Sequence, residues 1–306
     1  MQKGSALIMA LLITAIVATV ATAIAVHLRM SIHESQLAYN FEQAYDDLQG
    51  VQDWGMAQLI ENGKLSAQKH TLESYPQNMP NALFHRAQLN GEIDDAQGLF
   101  NINALTNPAA QAQFVRLLKA VDANINNDQA TQISKAITDW LNISNSDTIY
   151  LKNNPPYRAA HQNMVSVSEL RLIDGVSAKL YLALLPYVTV LPIAGNQINI
   201  VTAPIPVLRS LGVNITQDQA NNFVACRQQY LGATADDLKQ NCIAKPGLQF
   251  DPQVNIVTTS SYFLIKAFAK LGGQDLALYS LVKRSSDTSN NNTLVGSVVW
   301  QSLNTF

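Results

Sequence analysis

The sequence predicts an α+β protein in which a long N-terminal helix packs on a small antiparallel sheet and a large all-α insertion interrupts the sheet. Three observations predict this class. An apolar helix-forming run opens the chain, apolar residues in the middle follow a helical period, and the last part alternates with the period of strands. The 306 residues suffice for two domains, or for one domain that carries a large insertion.

The charge of the chain bears on its partners. Lys and Arg number 20, Asp and Glu number 22, and only 14% of the residues are charged, so the formal net charge is -2. A field this weak does not favour nucleic acid or anionic lipid. We therefore expect partners to be recognised by shape.

The first element is an uncharged apolar run over residues 6–26. At 1.5 Å per residue, a helix of this length crosses the hydrocarbon core of a bilayer. A secretory signal peptide would be cut after a small residue such as Ala23 or Ala25, whereas a simple signal anchor would not be cut. Both interpretations compete with a third, which depends on the residues before the run.

Lys3, Gly4 and Ser5 stand directly before the apolar run. This arrangement resembles the processing site of type IV pilins and pseudopilins. The resemblance implies that a prepilin peptidase cuts after Gly4 and methylates Ser5, so that the apolar helix stays on the mature protein. Residues 1–4 are then a leader peptide and residues 5–26 are the transmembrane part of the long helix.

The fifth residue after this cut is Met9, where most pilins carry a glutamate. In that family the glutamate is thought to neutralise the terminal amine of a neighbouring subunit inside the apolar filament core, where an unpaired charge is costly. A subunit with nothing above it has no such amine to meet. Met9 therefore suggests a tip subunit, and drift to a lipid-compatible side chain is the alternative.

The apolar run is expected to continue into a second, amphipathic half of the same helix. Residues 31–62 contain no proline. Apolar and small residues recur there at spacings of three and four: Leu37, Phe41, Ala44, Leu48, Val51, Gly55 and Leu59. We predict one helix of roughly fifty residues or more, ended by Asn62 and Gly63.

The middle of the chain, from residue 107 to about residue 250, is predicted to be helical and to follow a turn at residues 94–98. Capping boxes begin at Ser166 and Thr216. A faint repeat relates residues 100–106 to residues 198–204, and we interpret its Asn and Thr residues as helix caps.

The repeat predicts two helical insertion subdomains, residues 104–191 and residues 192–250. The remaining parts, residues 27–103 and 251–306, form the α+β domain. Its strands are predicted at residues 85–93, 260–270, 276–284 and 294–301, with turns at Gly272-Gly273 and in the Asn-rich residues 287–292.

The two cysteines are Cys226 and Cys242. In an oxidising compartment they are expected to form a disulfide that stabilises the fold by about 3 kcal/mol. In a reducing cytosol they would be two unpaired thiols.

Several motifs in order resemble the family of type II secretion system protein K. They are Lys3-Gly4-Ser5 without a glutamate at the fifth mature position, Gly98-Leu99-Phe100-Asn101-Ile102-Asn103, Thr138-Asp139-Trp140-Leu141, Pro155-Pro156-Tyr157-Arg158-Ala159-Ala160, Val165-Ser166-Val167-Ser168-Glu169-Leu170, and Ile198-Asn199-Ile200 with Thr202-Ala203. The resemblance covers nearly the whole chain. It implies a pilin-like fold with an inserted helical domain, in agreement with the pattern of the residues.

The resemblance also implies a structural role as a minor pseudopilin at the pseudopilus tip, where the protein helps to start assembly. The implied partners are minor pseudopilins I and J, the major pseudopilin and prepilin peptidase. The implied location is the inner membrane, crossed once, with the bulk of the chain in the periplasm. The export of folded proteins through the outer-membrane secretin is the implied process. A periplasmic binding module that recognises secreted cargo is the alternative function.

Relatives in this family often carry an acidic run associated with calcium after their Asp-Trp pair. This sequence offers Asp139, Asn142 and Asp147, with only two carboxylates among them. Because fewer negative charges bind calcium more weakly, a calcium site and a plain polar loop are both kept as interpretations. No cofactor is required by the predicted role.

Catalytic chemistry has no residues to support it. The five histidines are scattered without the spacing of a metal site or a catalytic triad. Residues 172–177 resemble the hairpin of helix-hairpin-helix modules, but Ser177 replaces the second glycine and only Arg171 and Lys179 are basic nearby. We predict neither an enzyme nor a nucleic-acid-binding protein.

Overall fold

The structure is a computed structural model that describes residues 3–142, 150–287 and 293–304. Along the chain its helices are α1 Lys3–Lys69, α2 Pro108–Val121, α3 Asn127–Leu141, α4 Ala178–Leu184, α5 Ile205–Ser210, α6 Gln217–Gln229 and α7 Ala235–Leu238. Its strands are β1 Gln77–Asn78, β2 Ala82–Phe84, β3 Ala87–Asp95, β4 Phe100–Asn101, β5 Val188–Thr189, β6 Gln197–Asn199, β7 Asn255–Val257, β8 Tyr262–Leu271, β9 Gln274–Asp287 and β10 Thr293–Leu303. Five short 3-10 turns and one π-helical turn, Lys239–Ala244, connect them.

Helix α1 has 67 residues and two halves with different surroundings. In residues 7–36, which we call the anchor half, every side chain is exposed. From Ala44 onward one face of the helix is buried against the sheet. The prediction of one continuous helix is therefore confirmed.

The sheet is antiparallel, with the strand order β1-β3-β8-β9-β10, and β2 pairs with β3. Because successive side chains of a strand point to opposite faces, every second residue of β8 faces α1. Phe263, Ile265 and Ala267 are fully buried there. We call α1 from Ala44 onward, together with this sheet, the head.

The end predicted for α1 at Asn62 and Gly63 is wrong, because the helix continues to Lys69. A Cβ at Gly63 would lie 2.8 Å from Arg284 Nη1 and 2.9 Å from Leu294 Cδ1. The glycine lets the helix approach the sheet and does not stop the helix. The end comes at His70, which has a φ of 55° and so turns the chain out of the helix.

The strand bounds differ from the predicted ones by a few residues. Strand β3 begins at Ala87 and not at residue 85, because His85 and Arg86 have φ values of 45° and 70° and form the turn after β2. It continues through Asp95, so that the predicted turn at residues 94–98 begins inside the strand. The turn predicted at Gly272 and Gly273 is confirmed, with φ values of 59° and 83°.

Residues 96–261 connect β3 to β8 and lie outside this sheet. We call them the insertion. Its core is continuous and is built from all of its helices, including Phe114 of α2, Ile137 of α3 and Phe223 of α6. It is not purely helical, since β4 pairs with β5 and β6 pairs with β7 as short parallel pairs. The α+β class with a long helix and a large, mostly helical insertion is confirmed.

The two halves of the predicted repeat have the same local structure. Asn101 in β4 accepts a hydrogen bond from the backbone N–H of Asn103, and Asn199 in β6 accepts one from that of Val201. Each asparagine thus ends a short strand and begins a turn. The boundary between two subdomains near residues 191–192 stays a prediction.

Candidate assembly site

The functional surface predicted at the N-terminus begins inside α1. The backbone is helical from Lys3, so Gly4 and Ser5 lie in its first turn. Met9 is 66% exposed, and the large apolar side chains up to Ile32 are exposed as well. Among the described residues, α1 is the one helix long and apolar enough to cross a membrane. Such a surface is stable in lipid or against other apolar helices.

A buried ion pair fixes the end of α1 to the sheet. Arg284 Nη2 donates to Glu73 Oε1 at 2.7 Å, and its Nη1 donates to the Leu59 carbonyl at 2.8 Å. The guanidinium also lies 4.7 Å from the ring centre of Phe263. Burial lowers the pKa of Arg284, but the hydrogen bonding and charge of Glu73, together with Tyr75, outweigh burial and raise it, so this cation is held charged.

A second polar contact lies midway along the helix. Ser280 Oγ donates to Gln52 Oε1 at 2.5 Å, and Gln301 Nε2 donates to the same oxygen. Both Gln52 and Ser280 are buried. These contacts fix the rotation and the position of the packed half of α1 on the sheet. The anchor half continues from this packed half.

Asp95, the last residue of β3, holds the two ends of the insertion together. Its Oδ1 accepts from the Gln97 N–H, while its Oδ2 accepts from Asn199 Nδ2, Thr202 Oγ1 and Ser260 Oγ at 2.7, 2.7 and 2.8 Å. Burial raises the pKa of the Asp95 carboxyl in spite of these hydrogen bonds. The cluster of Asp95, Asn199, Thr202 and Ser260 is called the junction below.

Three buried amides extend the junction. Gln97 Oε1 accepts from the backbone N–H groups of Ser261 and Tyr262, at 2.5 and 3.1 Å. Asn101 and Asn103 bind backbone groups of residues 191–195 and Met164. The Gln97 contact thus joins the start of the insertion to the start of β8, whereas the contacts of Asn101 and Asn103 lie within the insertion.

A cleft of about 600 Å³ separates the insertion from the sheet face opposite α1. Phe268, Tyr279 and Trp300 belong to its sheet wall, and the same wall carries Lys266. Lys266 pairs with Asp94 and, at 3.7 Å, with Glu92. Because the charges of this wall pair with one another, the cleft offers mainly an apolar surface.

The cysteines form the disulfide Cys226–Cys242, with 5.7 Å between their Cα atoms. It joins α6 to the π-helical turn Lys239–Ala244. Next to it, Arg227 Nη1 donates to the carbonyls of Ile200 and Ala203, both at 2.7 Å. Burial lowers the pKa of Arg227 to about 10. This corner of the insertion is structural.

The residues considered for calcium are only partly described. Asp139 Oδ2 accepts from Lys135 Nζ at 3.1 Å, and Asn142 is the C-cap of α3. Asp147 lies outside the described residues. Within residues 3–142, 150–287 and 293–304, no group of three or more His, Cys, Asp or Glu side chains could hold a metal ion. The calcium site at Asp139, Asn142 and Asp147 therefore stays a prediction.

The sequence reasoning missed the junction and the Arg284 pair. The sequence predicts Asp95 in a turn, whereas it is 6% exposed and ends a strand whose alternate residues are buried. The pattern of residues 87–95 contained a signal, since Ala87, Leu89, Gly91 and Ile93 put Asp95 on the buried face. The alternation of residues along β9 similarly indicated that Arg284 lies on the buried face of that strand.

Comparison with known proteins gives a family. Residues 98–193 match the family model described as type II secretion system (T2SS), protein K. Three curated relatives are named type II secretion system protein K. That of Pectobacterium carotovorum is 28% identical, covering 93% of both chains, and that of Pseudomonas aeruginosa is 28% identical, covering 94% of this chain and 90% of the relative. That of Aeromonas hydrophila is 30% identical over 65% of this chain and 68% of the relative.

A solved structure shares the fold. One chain of the crystal structure of the GspK-GspI-GspJ complex from the enterotoxigenic Escherichia coli type 2 secretion system matches with a TM-score of 0.66. The match is 22% identical and covers 87% of this chain and 98% of that chain. The overall fold of this chain is thus shared with a structure that is known from experiment.

Proposed function

Because the chain belongs to the family of type II secretion system protein K, the minor pseudopilins, we propose that it stands at the tip of a pseudopilus and helps to start its assembly. The observation that carries this proposal is the anchor half of α1, an exposed apolar segment that is continuous with the part of α1 packed on the sheet. In a filament such a segment leaves the bilayer and packs against the same segment of other subunits. Met9 supports the tip position, because it brings no carboxylate for the terminal amine of a subunit above.

The proposed partners are minor pseudopilins I and J, followed by the major pseudopilin, with prepilin peptidase as the processing enzyme. Support comes from the related chain, whose crystal structure is that of a GspK-GspI-GspJ complex. The proposed location is the inner membrane, with the head and the insertion in the periplasm, where the filament would serve the export of folded proteins through the secretin. The disulfide fits this compartment, because disulfides persist in oxidising surroundings.

Intact mass measurement of the full-length protein, extracted from its native membrane, tests the proposal. We expect a chain that begins at methylated Ser5 and keeps the anchor half. A chain that begins after Ala23 or Ala25 would have lost that half, and the assembly role would then be wrong. A Met9→Glu variant tests the tip position separately, since we expect it to disturb filament initiation without changing processing.

A binding module for exported cargo is the second candidate function. The observation that favours it is the cleft between the insertion and the sheet, with its aromatic wall. Pull-down of the full chain with candidate exported proteins, set beside pull-down with pseudopilins I and J, separates the two functions. Retention of cargo alone would favour the module.

A further inference from the structure

The sheet of the head has two edges, and they differ in how well they are protected from pairing. One edge carries β1 and β2, which have 2 and 3 residues, and Pro76 and Pro80 lie beside them. Very short strands and prolines keep an edge from pairing with another chain. This edge therefore offers no continuous row of backbone groups.

The opposite edge is β10, a strand of 11 residues. In the part of the chain that the structure describes, β10 pairs with β9 on one side and no strand lies beyond it on the other. Val295, Val298 and Val299 are each 38% exposed. A long, exposed edge of this kind is a template for the addition of a strand.

The usable part of this edge is residues 294–298, which we call the open edge. These residues are Leu, Val, Gly, Ser and Val, so the open edge has neither charge nor proline. It ends where the register shifts between Val298 and Trp300, because a bulge interrupts the row of hydrogen-bonding groups. Five residues are close to the usual strand length of about 5–6 residues.

The direction of α1 decides which occupant is compatible with the open edge. Gly63 of α1 lies against Leu294, at the start of β10, whereas Leu303 at its end packs against the cluster that contains Ala44 and Leu48. The helix and β10 therefore run in opposite directions. Antiparallel pairing of two copies of β10 about a two-fold axis would point their two anchor halves in opposite directions. Two copies anchored in one membrane cannot pair in this way.

We propose that the open edge binds an extended, uncharged segment of a different protein as an additional antiparallel strand. Since β10 runs toward the anchored end of α1, the added strand runs away from the membrane. On the helix side it meets Met56 and Ile60, which lie beside Gly296, so an apolar side chain is favoured there. The inference uses the single membrane anchor of the proposed function, and it does not depend on the tip position.

Hydrogen–deuterium exchange of the full chain in lipid nanodiscs tests the proposal. The probe is a synthetic peptide with the centre Thr-Val-Ser-Ile-Thr-Val between pairs of lysines, and the control peptide has proline at alternate central positions. With the probe, we expect the amides of residues 294–298 that point away from β9, which are every second one, to exchange about tenfold more slowly, because they gain hydrogen-bond partners. The control peptide should leave their exchange unchanged.

A pair of variants shows whether the protection arises at the edge. Val295→Lys adds a charge to the open edge and should abolish the protection. Val213→Lys is the matched control, since Val213 is 75% exposed on the insertion, and it should retain the protection. Absence of protection by the probe in the parent chain would overturn the proposal, and so would equal protection in Val295→Lys.

The choice of occupant has its own test. Cross-linking of nanodiscs that hold two copies should give no dimer joined through residues 294–298, and such a dimer would overturn the assignment to a different protein. Neither measurement uses pseudopilins I and J. A negative result in the exchange test would therefore leave the proposed function standing. A mature chain that does not begin at Ser5 would contradict the proposed function, but the exchange test could still be interpreted.

Discussion

Two buried charges in this protein are stabilised in different ways. Arg284 has the Glu73 carboxylate as a partner, and their side chains are 7% and 12% exposed. Asp95 receives hydrogen bonds only from neutral groups, those of Gln97, Asn199, Thr202 and Ser260. The stability that depends on Arg284 is therefore sensitive to loss of either partner of the ion pair, and the stability that depends on Asp95 is sensitive to pH.

We expect Arg284→Met to lower the free energy of unfolding by about 3–5 kcal/mol, because it leaves Glu73 buried and charged without a cation. Urea unfolding of the full chain in detergent, followed by tryptophan fluorescence, measures this. The control is Lys135→Met, which removes an ion pair whose lysine side chain is 76% exposed and should cost less than about 1 kcal/mol. Equal losses in the two variants would contradict the role given to burial.

Asp95→Asn should change how stability depends on pH. Burial raises the pKa of the folded-state carboxyl above the usual 3.8, so the folded chain holds this proton more tightly than the unfolded chain. Asp95 therefore contributes stability that is fully present below about pH 4 and is lost as the pH rises through the folded-state pKa. Unfolding of both proteins from pH 4 to pH 8 should show the advantage of the parent shrinking with rising pH. A difference that stayed constant or grew would contradict the raised pKa.

At the scale of elements, the sequence predicted α1 well because a local period determines which face of a helix is apolar. Ala44, Leu48, Val51 and Leu59 of the predicted stripe are buried on the sheet. The period could not show where the stripe begins, and Phe41 is 37% exposed. It also could not give the role of the glycines in α1, because that role depends on residues more than two hundred positions away.

Two glycines of α1 allow a matched test of this role. A Cβ at Gly55 would lie 2.9 Å from Ile265 Cδ1, whereas a Cβ at Gly50 would meet nothing within 4 Å. We expect Gly55→Ala to destabilise the head by about 1–3 kcal/mol through overpacking. Gly50→Ala should stabilise it by up to about 1 kcal/mol, since alanine favours the helix. Thermal unfolding of both variants measures the pair, and the same sign for both would refute the packing argument.

Strands and their order were harder to predict than helices. The three C-terminal strands follow one another through turns, so their alternation and turn residues identified them. The short strands β1 and β2 lie beside β3 without a comparable local signal. The junction lies furthest from prediction, because Asp95 and Asn199 are 104 residues apart in the chain and meet only after folding.

At the scale of the whole molecule, the head and the insertion have separate hydrophobic cores. The clusters around Leu48 and Leu59 are formed by α1, the sheet, and Tyr75 and Met79 of the connecting segments. The large cluster around Phe114 belongs to the insertion, with Leu72 from outside it. A small cluster with Ala96, Leu191, Tyr262 and Leu281 lies where the two parts meet, next to the junction. The insertion can therefore lose stability while the head stays folded.

The disulfide provides the test of this separation. Its cysteines are 16 positions apart and both belong to the insertion. Replacing both, Cys226→Ser with Cys242→Ser, should lower the stability of the insertion by about 3 kcal/mol, because a short loop in the unfolded chain is no longer closed.

Hydrogen exchange of the full chain then distinguishes local from global loss. Amides of α6 and α5 should exchange faster in the double variant, since their protection depends on opening of the insertion. Amides of β8 and β9 should keep the protection of the parent, because their side chains pack on α1 and the disulfide lies outside that core. Faster exchange in β8 and β9 by the same factor would mean that the two cores open as one unit. In that case the hydrogen bonds of Asp95 to Asn199, Thr202 and Ser260 in the junction would couple the head and the insertion more tightly than their separate apolar clusters indicate.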